Sequence, residues 1–106
     1  MSPSPVVVIA TFEAAEGRLD DLRQALVEAI PAVHAEPGCQ LYAIHDADDS
    51  RIYMIEKWDS QADLDRHAQG EAVQELRALV AGKTTNPAPL ILLSPIPAGT
   101  AEQGQL

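Results

Sequence analysis

The first and last apolar runs of this chain carry aliphatic side chains on both of their alternating faces. In residues 6–12 (VVVIATF), Val6, Val8, Ala10 and Phe12 oppose Val7, Ile9 and Thr11; in residues 89–96 (PLILLSPI), Leu90 and Leu92 oppose Ile91 and Leu93. Side chains of a strand alternate across its sheet, so strands of this kind must be covered on both sides. The chain is thereby limited to a layered domain with helices on one face and a second cover on the other.

The segments between supply the helices. After Gly17, residues Leu19, Leu22, Leu26, Ile30 and Val33 recur at helical spacing, with Asp20 and Asp21 in the first turn where the helix dipole favours negative charge. This helix is expected to end near Ala35, with Pro31 removing one backbone bond and bending its last turn. Pro37-Gly38 turns the chain into a second strand, 39–46, and the polar residues 47–50 read as a hairpin to an antiparallel third strand, 51–58. Asp59 or Ser60 can cap a short helix through His67, with Asp63 three residues after Ser60 as its acidic partner. Gly70 interrupts it, Ala72, Val73, Leu76, Leu79 and Val80 form the stripe of a further helix, and Gly82 ends that helix. Asn86-Pro87 leads to the last strand, whose flanking prolines suit an edge position.

The order is β-α-β-β-α-β with the second helix split. It predicts an α+β, ferredoxin-like fold, a four-stranded antiparallel sheet with helices on one face. A length of 106 residues allows one domain, 6–97, between a lead-in of 1–5 and a tail of 98–106 that are both expected to be mobile. Helices on one face leave the other bare, an aliphatic patch on the order of several hundred Å², above what soluble monomers expose. A two-fold homodimer through that face is the expected closure.

Charge removes other partners. Sixteen acidic residues against seven basic ones give −9, with no Lys/Arg cluster, so neither nucleic acid nor an anionic membrane is an expected partner. The apolar run 6–10 is too short for a signal or membrane segment and no Lys or Arg precedes it, which fits a soluble cytoplasmic protein. A single cysteine, Cys39, excludes an intramolecular disulfide and a dithiol redox centre, and is too little for a thiolate zinc site. Beside its Pro-Gly turn it reads as a small buried hydrophobe.

Few side chains are placed for chemistry. On the third strand Ile52, Met54, Glu56 and Trp58 share one face, and Glu56 is the odd member of an apolar row. Such a carboxylate is either a structural acceptor of backbone or arginine donors or a pocket acid or base. Trp58, the only tryptophan, is either a plug between helix and sheet or a wall for a flat ligand. His67, near the end of the short helix beside Leu64, is either a surface residue or the best general base the chain offers. His45 with Asp46, Asp48 and Asp49 lacks metal-ligand spacing and reads as a solvated hairpin, so no metal is assigned.

In order, Glu36-Pro-Gly-Cys39, Tyr42, Glu56-Lys-Trp58-Asp-Ser60 and Leu64-Asp-Arg-His67 resemble the antibiotic biosynthesis monooxygenase family, especially its quinol-monooxygenase-like branch. The similarity covers residues 5–96. It implies a dimeric α+β barrel that oxidises an electron-rich phenol, quinol or polyketide-like ring with O2 as co-substrate, without metal, flavin or haem. In that scheme His67 is the base, Trp58 a wall and proton partner, Arg77 the group that holds an anionic oxygen, and Glu56 orients a neighbour. Tyr42, Met54 and Leu64 join Arg77 and Glu56 around the substrate. Met54 and Leu64 stand where the polyketide-oxidising branch has its catalytic Asn and Tyr, which shifts the reading toward the branch with His67. Haem-degrading relatives carry a ligating histidine in the last helix, and residues 74–79 hold none. The alternative is a non-catalytic barrel that binds a small aromatic or serves as a stress-related interaction module, or an isomerase of a small oxygenated metabolite.

Overall fold

Hydrogen bonding of the chain begins at β1 (Val6–Glu13) and runs through α1 (Leu19–His34), β2 (Cys39–Asp46), β3 (Arg51–Trp58), α2 (Gln61–Ala68), α3 (Glu71–Val80) and β4 (Ile91–Leu93). The computed structural model describes residues 4–85 and 89–106. The strands form one sheet in the order β2-β3-β1-β4, with every neighbouring pair antiparallel. This is the ferredoxin-like α+β arrangement expected from the order of elements.

Register decides which side chains meet under the helices. Tyr42, Glu56, Val8 and Leu92 lie in one row across the four strands, and Trp58 pairs with Val6 in a neighbouring row. A bulge between Cys39 and Leu41 inserts Gln40 without a partner. Strict alternation would put Cys39 and Tyr42 on opposite faces; the extra residue puts both on the helix side.

The helices cover that side. α1 buries Leu22, Ala25, Leu26, Ala29 and Val33, and it continues through the exposed Pro31 to His34. Val8, Leu22, Leu26, Val33, Ile52, Met54 and Trp58 form the fully buried centre of the core. Removal of their side chains from water, at roughly 1.5–3 kcal/mol for each large aliphatic, is the main force holding α1 on the sheet.

Two expectations change. The last strand is three residues, Ile91–Leu93, instead of 89–96, because it pairs only with β1, at Val7 to Ile9, and all its side chains are exposed. Its Asn86-Pro87 lead-in lies outside the described residues, as do residues 1–3 of the N-terminal lead-in. On the open face, Val7 and Lys57 are buried within the single chain, and Lys57 Nζ donates to the Leu106 carbonyl, which brings the tail over the start of β1. The rest of that face stays bare: Ile9, Leu41 and Ile55 are half-buried, and Ile91 and Leu93 are 51% and 43% exposed.

Candidate functional site

The split of the second helix positions His67. Ser60 caps α2: its Oγ accepts from the Asp63 N–H at 3.2 Å and donates to Asp63 Oδ2 at 2.9 Å, the cap expected from Ser60 and Asp63. Asp63 packs on the turn before β2, where Gly38 has φ +79° and where a Cβ would lie 2.7 Å from Asp63 Cβ. Only glycine satisfies both the backbone angle and the approach. The helix then presents Leu64 and His67, both buried, to the sheet.

There His67 enters an aromatic cluster. Its ring centroid lies 4.6 Å from that of Trp58 with planes 33° apart, and 5.4 Å from that of Tyr42 in an edge-on arrangement. Its Nδ1 is 2.6 Å from Glu36 Oε1. Nε2 has no hydrogen-bond partner among the described residues.

A cavity of about 490 Å³ opens between this cluster and α3. Tyr42, Glu56, Leu64 and His67 line one part, apolar Phe12, Val73, Leu76, Val80 and Leu90 line more of it, and Glu13, Arg77, Thr84 and Thr85 also border it. Five of the seven residues singled out in the sequence, His67, Tyr42, Glu56, Leu64 and Arg77, therefore share one cavity. Trp58 and Met54 do not line it. Both have no exposed surface, so the tryptophan touches the site through the His67 ring and through Glu56 rather than as a wall of the cavity.

The electrostatics single out Glu56. Glu56 accepts from Trp58 Nε1 at 3.0 Å and is 4% exposed. Burial raises its pKa above the usual carboxylate range, with the indole N–H and the neighbouring His67 pulling the other way. Burial, then the charges of Glu56 and Glu36, push the Tyr42 phenol up, so it stays protonated. Burial also pushes the Cys39 thiol up, with Glu36 and Glu56 adding to it, which leaves Cys39 a poor nucleophile.

Arg77 differs from the other cations. Arg18 pairs with Asp21, Arg23 with Asp20 and Asp46, Arg51 with Asp49 and Arg66 with Asp63, while Lys57 and Lys83 donate to backbone carbonyls. Arg77 has no such partner among the described residues and borders the cavity. In a chain with sixteen carboxylates, an unpaired guanidinium beside a cavity is available to a ligand anion.

Glu36 belongs to the Glu36-Pro-Gly-Cys39 stretch that carries the family resemblance, but the sequence assigns it no role in the site; its link to His67 spans 31 residues and exists only in the fold. Phe12, Val73 and Leu90 likewise read as ordinary strand and helix residues. Among the described residues no group of three or more His, Cys, Asp or Glu side chains is arranged to hold a metal ion, and no helix is long and apolar enough to cross a membrane. In the hairpin, Asp46 takes Arg23 and Asp49 takes Arg51.

Comparison with known proteins extends the geometry. The family model for antibiotic biosynthesis monooxygenases matches residues 5–79. The structure of Rv0793 from Mycobacterium tuberculosis superposes with a TM-score of 0.79 at 31% identity, over 92% of this chain and 100% of that one. PA3566 from Pseudomonas aeruginosa gives 0.80 at 30% identity, over 91% and 98%. The Shewanella oneidensis protein SO0527, at 24% identity and a TM-score of 0.76 over 85% and 89%, shares the fold. A comparison with curated proteins finds no match. With the family model spanning most of the domain that builds the His67 cavity, the chain belongs to the antibiotic biosynthesis monooxygenase family.

Proposed function

We infer that the protein is a cytoplasmic monooxygenase that oxidises a small electron-rich aromatic, a quinol or polyketide-like ring, with O2 and without metal, flavin or haem. The observation that carries the reading is His67: one ring nitrogen is bonded to Glu36, and the other is left for a proton in a mostly apolar cavity. The cavity volume of about 490 Å³ is within the usual range for small-molecule sites, about 300–1,000 Å³.

O2 reacts slowly with closed-shell molecules, but a phenolate donates an electron to it readily. The protein then has to take a proton, exclude water and hold the anion. His67 takes the hydroxyl proton at Nε2, the apolar side chains from α3 and β1 keep the ring dry, and Arg77 holds an anionic oxygen. Electron transfer and recombination form a C–O bond at a ring carbon bearing hydrogen. That carbon's proton passes to the distal oxygen as the O–O bond breaks, and the departing hydroxide takes a second proton from His67. A phenol with a para C–H and one O2 thus give a quinone and one water. Glu56 keeps the Trp58 indole in place behind His67 and does not react.

The assembly that fits this reading is a homodimer through the open sheet face, supported by the bare aliphatic surface of Ile9, Leu41, Ile55, Ile91 and Leu93. Sedimentation at micromolar concentration is expected to give twice the chain mass of 11.4 kDa, and a stable monomer would refute it. The reaction itself is tested by oxygen uptake over a panel of dihydroxynaphthalenes and reduced quinones. No uptake across a broad panel would favour a non-catalytic barrel, and stoichiometric iron or copper in the purified protein would overturn cofactor independence.

A further inference from the structure

Glu36 follows the last turn of α1, and its backbone is held on both sides. Its N–H donates to the Val33 carbonyl at 3.0 Å and its carbonyl accepts from the Cys39 N–H at 3.4 Å. From this anchored position the side chain reaches the far end of α2. Oε1 meets His67 Nδ1 at 2.6 Å, with side-chain exposures of 17% for Glu36 and 6% for His67. The second oxygen, Oε2, lies against Gly70, where a Cβ would come within 3.2 Å of it. Gly70 is the N-cap of α3 and supplies no side chain to the first N–H groups of that helix, so the Glu36 carboxylate sits by the positive end of the α3 dipole.

The groups facing the imidazole come from four elements. Glu56 and Trp58 approach from β3 and Tyr42 from β2, Glu36 comes from the end of α1, and Arg77 of α3 borders the shared cavity. The Trp58 N–H is committed to Glu56, and Tyr42 is held as a phenol. Among the described residues, Glu36 alone hydrogen-bonds the ring.

We propose that Glu36 is a positioning residue for His67: it holds the proton on Nδ1, leaves Nε2 as an acceptor towards the cavity, and balances the positive charge that the ring gains when it takes the substrate proton. The inference deepens the reading of His67 as the base and rests on it. A histidine side chain free in water favours the proton on Nε2, which would present a donor to the substrate hydroxyl; the bond made by the other nitrogen decides the tautomer. A neutral ring whose Nδ1–H is tied to a carboxylate has its lone pair on Nε2. Two conditions of the fold make this possible: the anchored backbone of Glu36 and the absence of a side chain at Gly70.

Nitrogen-detected NMR of histidine-labelled protein tests the assignment without any substrate. In its neutral form, His67 is expected to carry its proton on Nδ1. In Glu36→Gln, whose amide oxygen can still accept from Nδ1–H, the tautomer is expected to persist. In Glu36→Leu, which offers no acceptor, the proton is expected to move to Nε2. The kcat of oxygen uptake should fall on the order of tenfold in Glu36→Gln with KM little changed, because the charge that balances the protonated ring is gone, while thermal unfolding changes little. A wild-type ring protonated on Nε2, or a ring that keeps its proton on Nδ1 in Glu36→Leu, would overturn the proposal. If no substrate is oxidised, the monooxygenase reading fails while the NMR still decides the role of Glu36.

Discussion

Trp58 Nε1 donates to Glu56 Oε1 at 3.0 Å, between two residues on the same face of β3. The bond satisfies an indole N–H that has no access to water, at the expense of holding a carboxyl group among apolar side chains. Glu56 therefore helps build the site while weakening the fold whenever it is charged.

That tension has a pH signature. Burial raises the folded-state pKa of Glu56 above its ordinary value of 4.5, so the folded chain holds this proton more tightly than the unfolded chain does. Its contribution to stability is full below about pH 4.5 and is lost as the pH rises through the raised folded value. Glu56→Gln keeps an acceptor for the indole and removes the titration. Urea unfolding across pH 4 to 8 is expected to show the variant gaining on wild type as the pH rises. A stability difference independent of pH would contradict the assignment.

Gly38 and Gly17 separate steric from conformational demand. Both have positive φ, +79° and +73°, but a Cβ at Gly17 meets nothing within 4 Å while one at Gly38 runs into Asp63. Gly17→Ala is expected to cost about 1–2 kcal/mol for the left-handed backbone alone. Gly38→Ala should cost about 2–4 kcal/mol, since displacing Asp63 also disturbs the Ser60 cap of α2. Equal losses in chemical denaturation would remove the Gly38–Asp63 approach as a constraint on the helix that carries His67.

Much of this was legible in the chain. Helical spacing from Leu19 to Val33, the Ser60 and Asp63 cap and the break at Gly70 each have a local cause, and they fix the element order and with it the sheet. Three features have no local cause. The bulge at Gln40 reverses the face of β2 beyond Leu41, so alternation alone does not put Cys39 on the helix side with Tyr42. The Glu36–His67 bond joins residues 31 apart in sequence. The shortness of β4 lies in its pairing, which takes in only Val7 to Ile9 of β1, although its eight-residue run has the composition of a longer strand. Trp58 meets the His67 ring from its position on β3, but its depth behind His67 depends on how α2 packs on β3.

Arg77 offers a test of ligand charge. Because it has no partner among the described residues, Arg77→Gln is expected to leave thermal stability nearly unchanged, within about 0.5 kcal/mol. For a substrate that binds as an anion, KM should rise about tenfold, in line with the loss of one charge-assisted pair at roughly 1.5–3 kcal/mol. An unchanged KM for such substrates would show that the guanidinium does not contact the ligand.

The most direct measurement is oxygen consumption by wild type and His67→Ala with dihydroxynaphthalenes and reduced quinones, at equal protein concentration and with folding confirmed by circular dichroism. The expected result is substrate-dependent uptake by wild type, one O2 per quinone formed, and a fall of about 100-fold or more in His67→Ala, the usual weight of a positioned base. Uptake that is unchanged in His67→Ala would contradict the role given to His67 and to the cavity built around it.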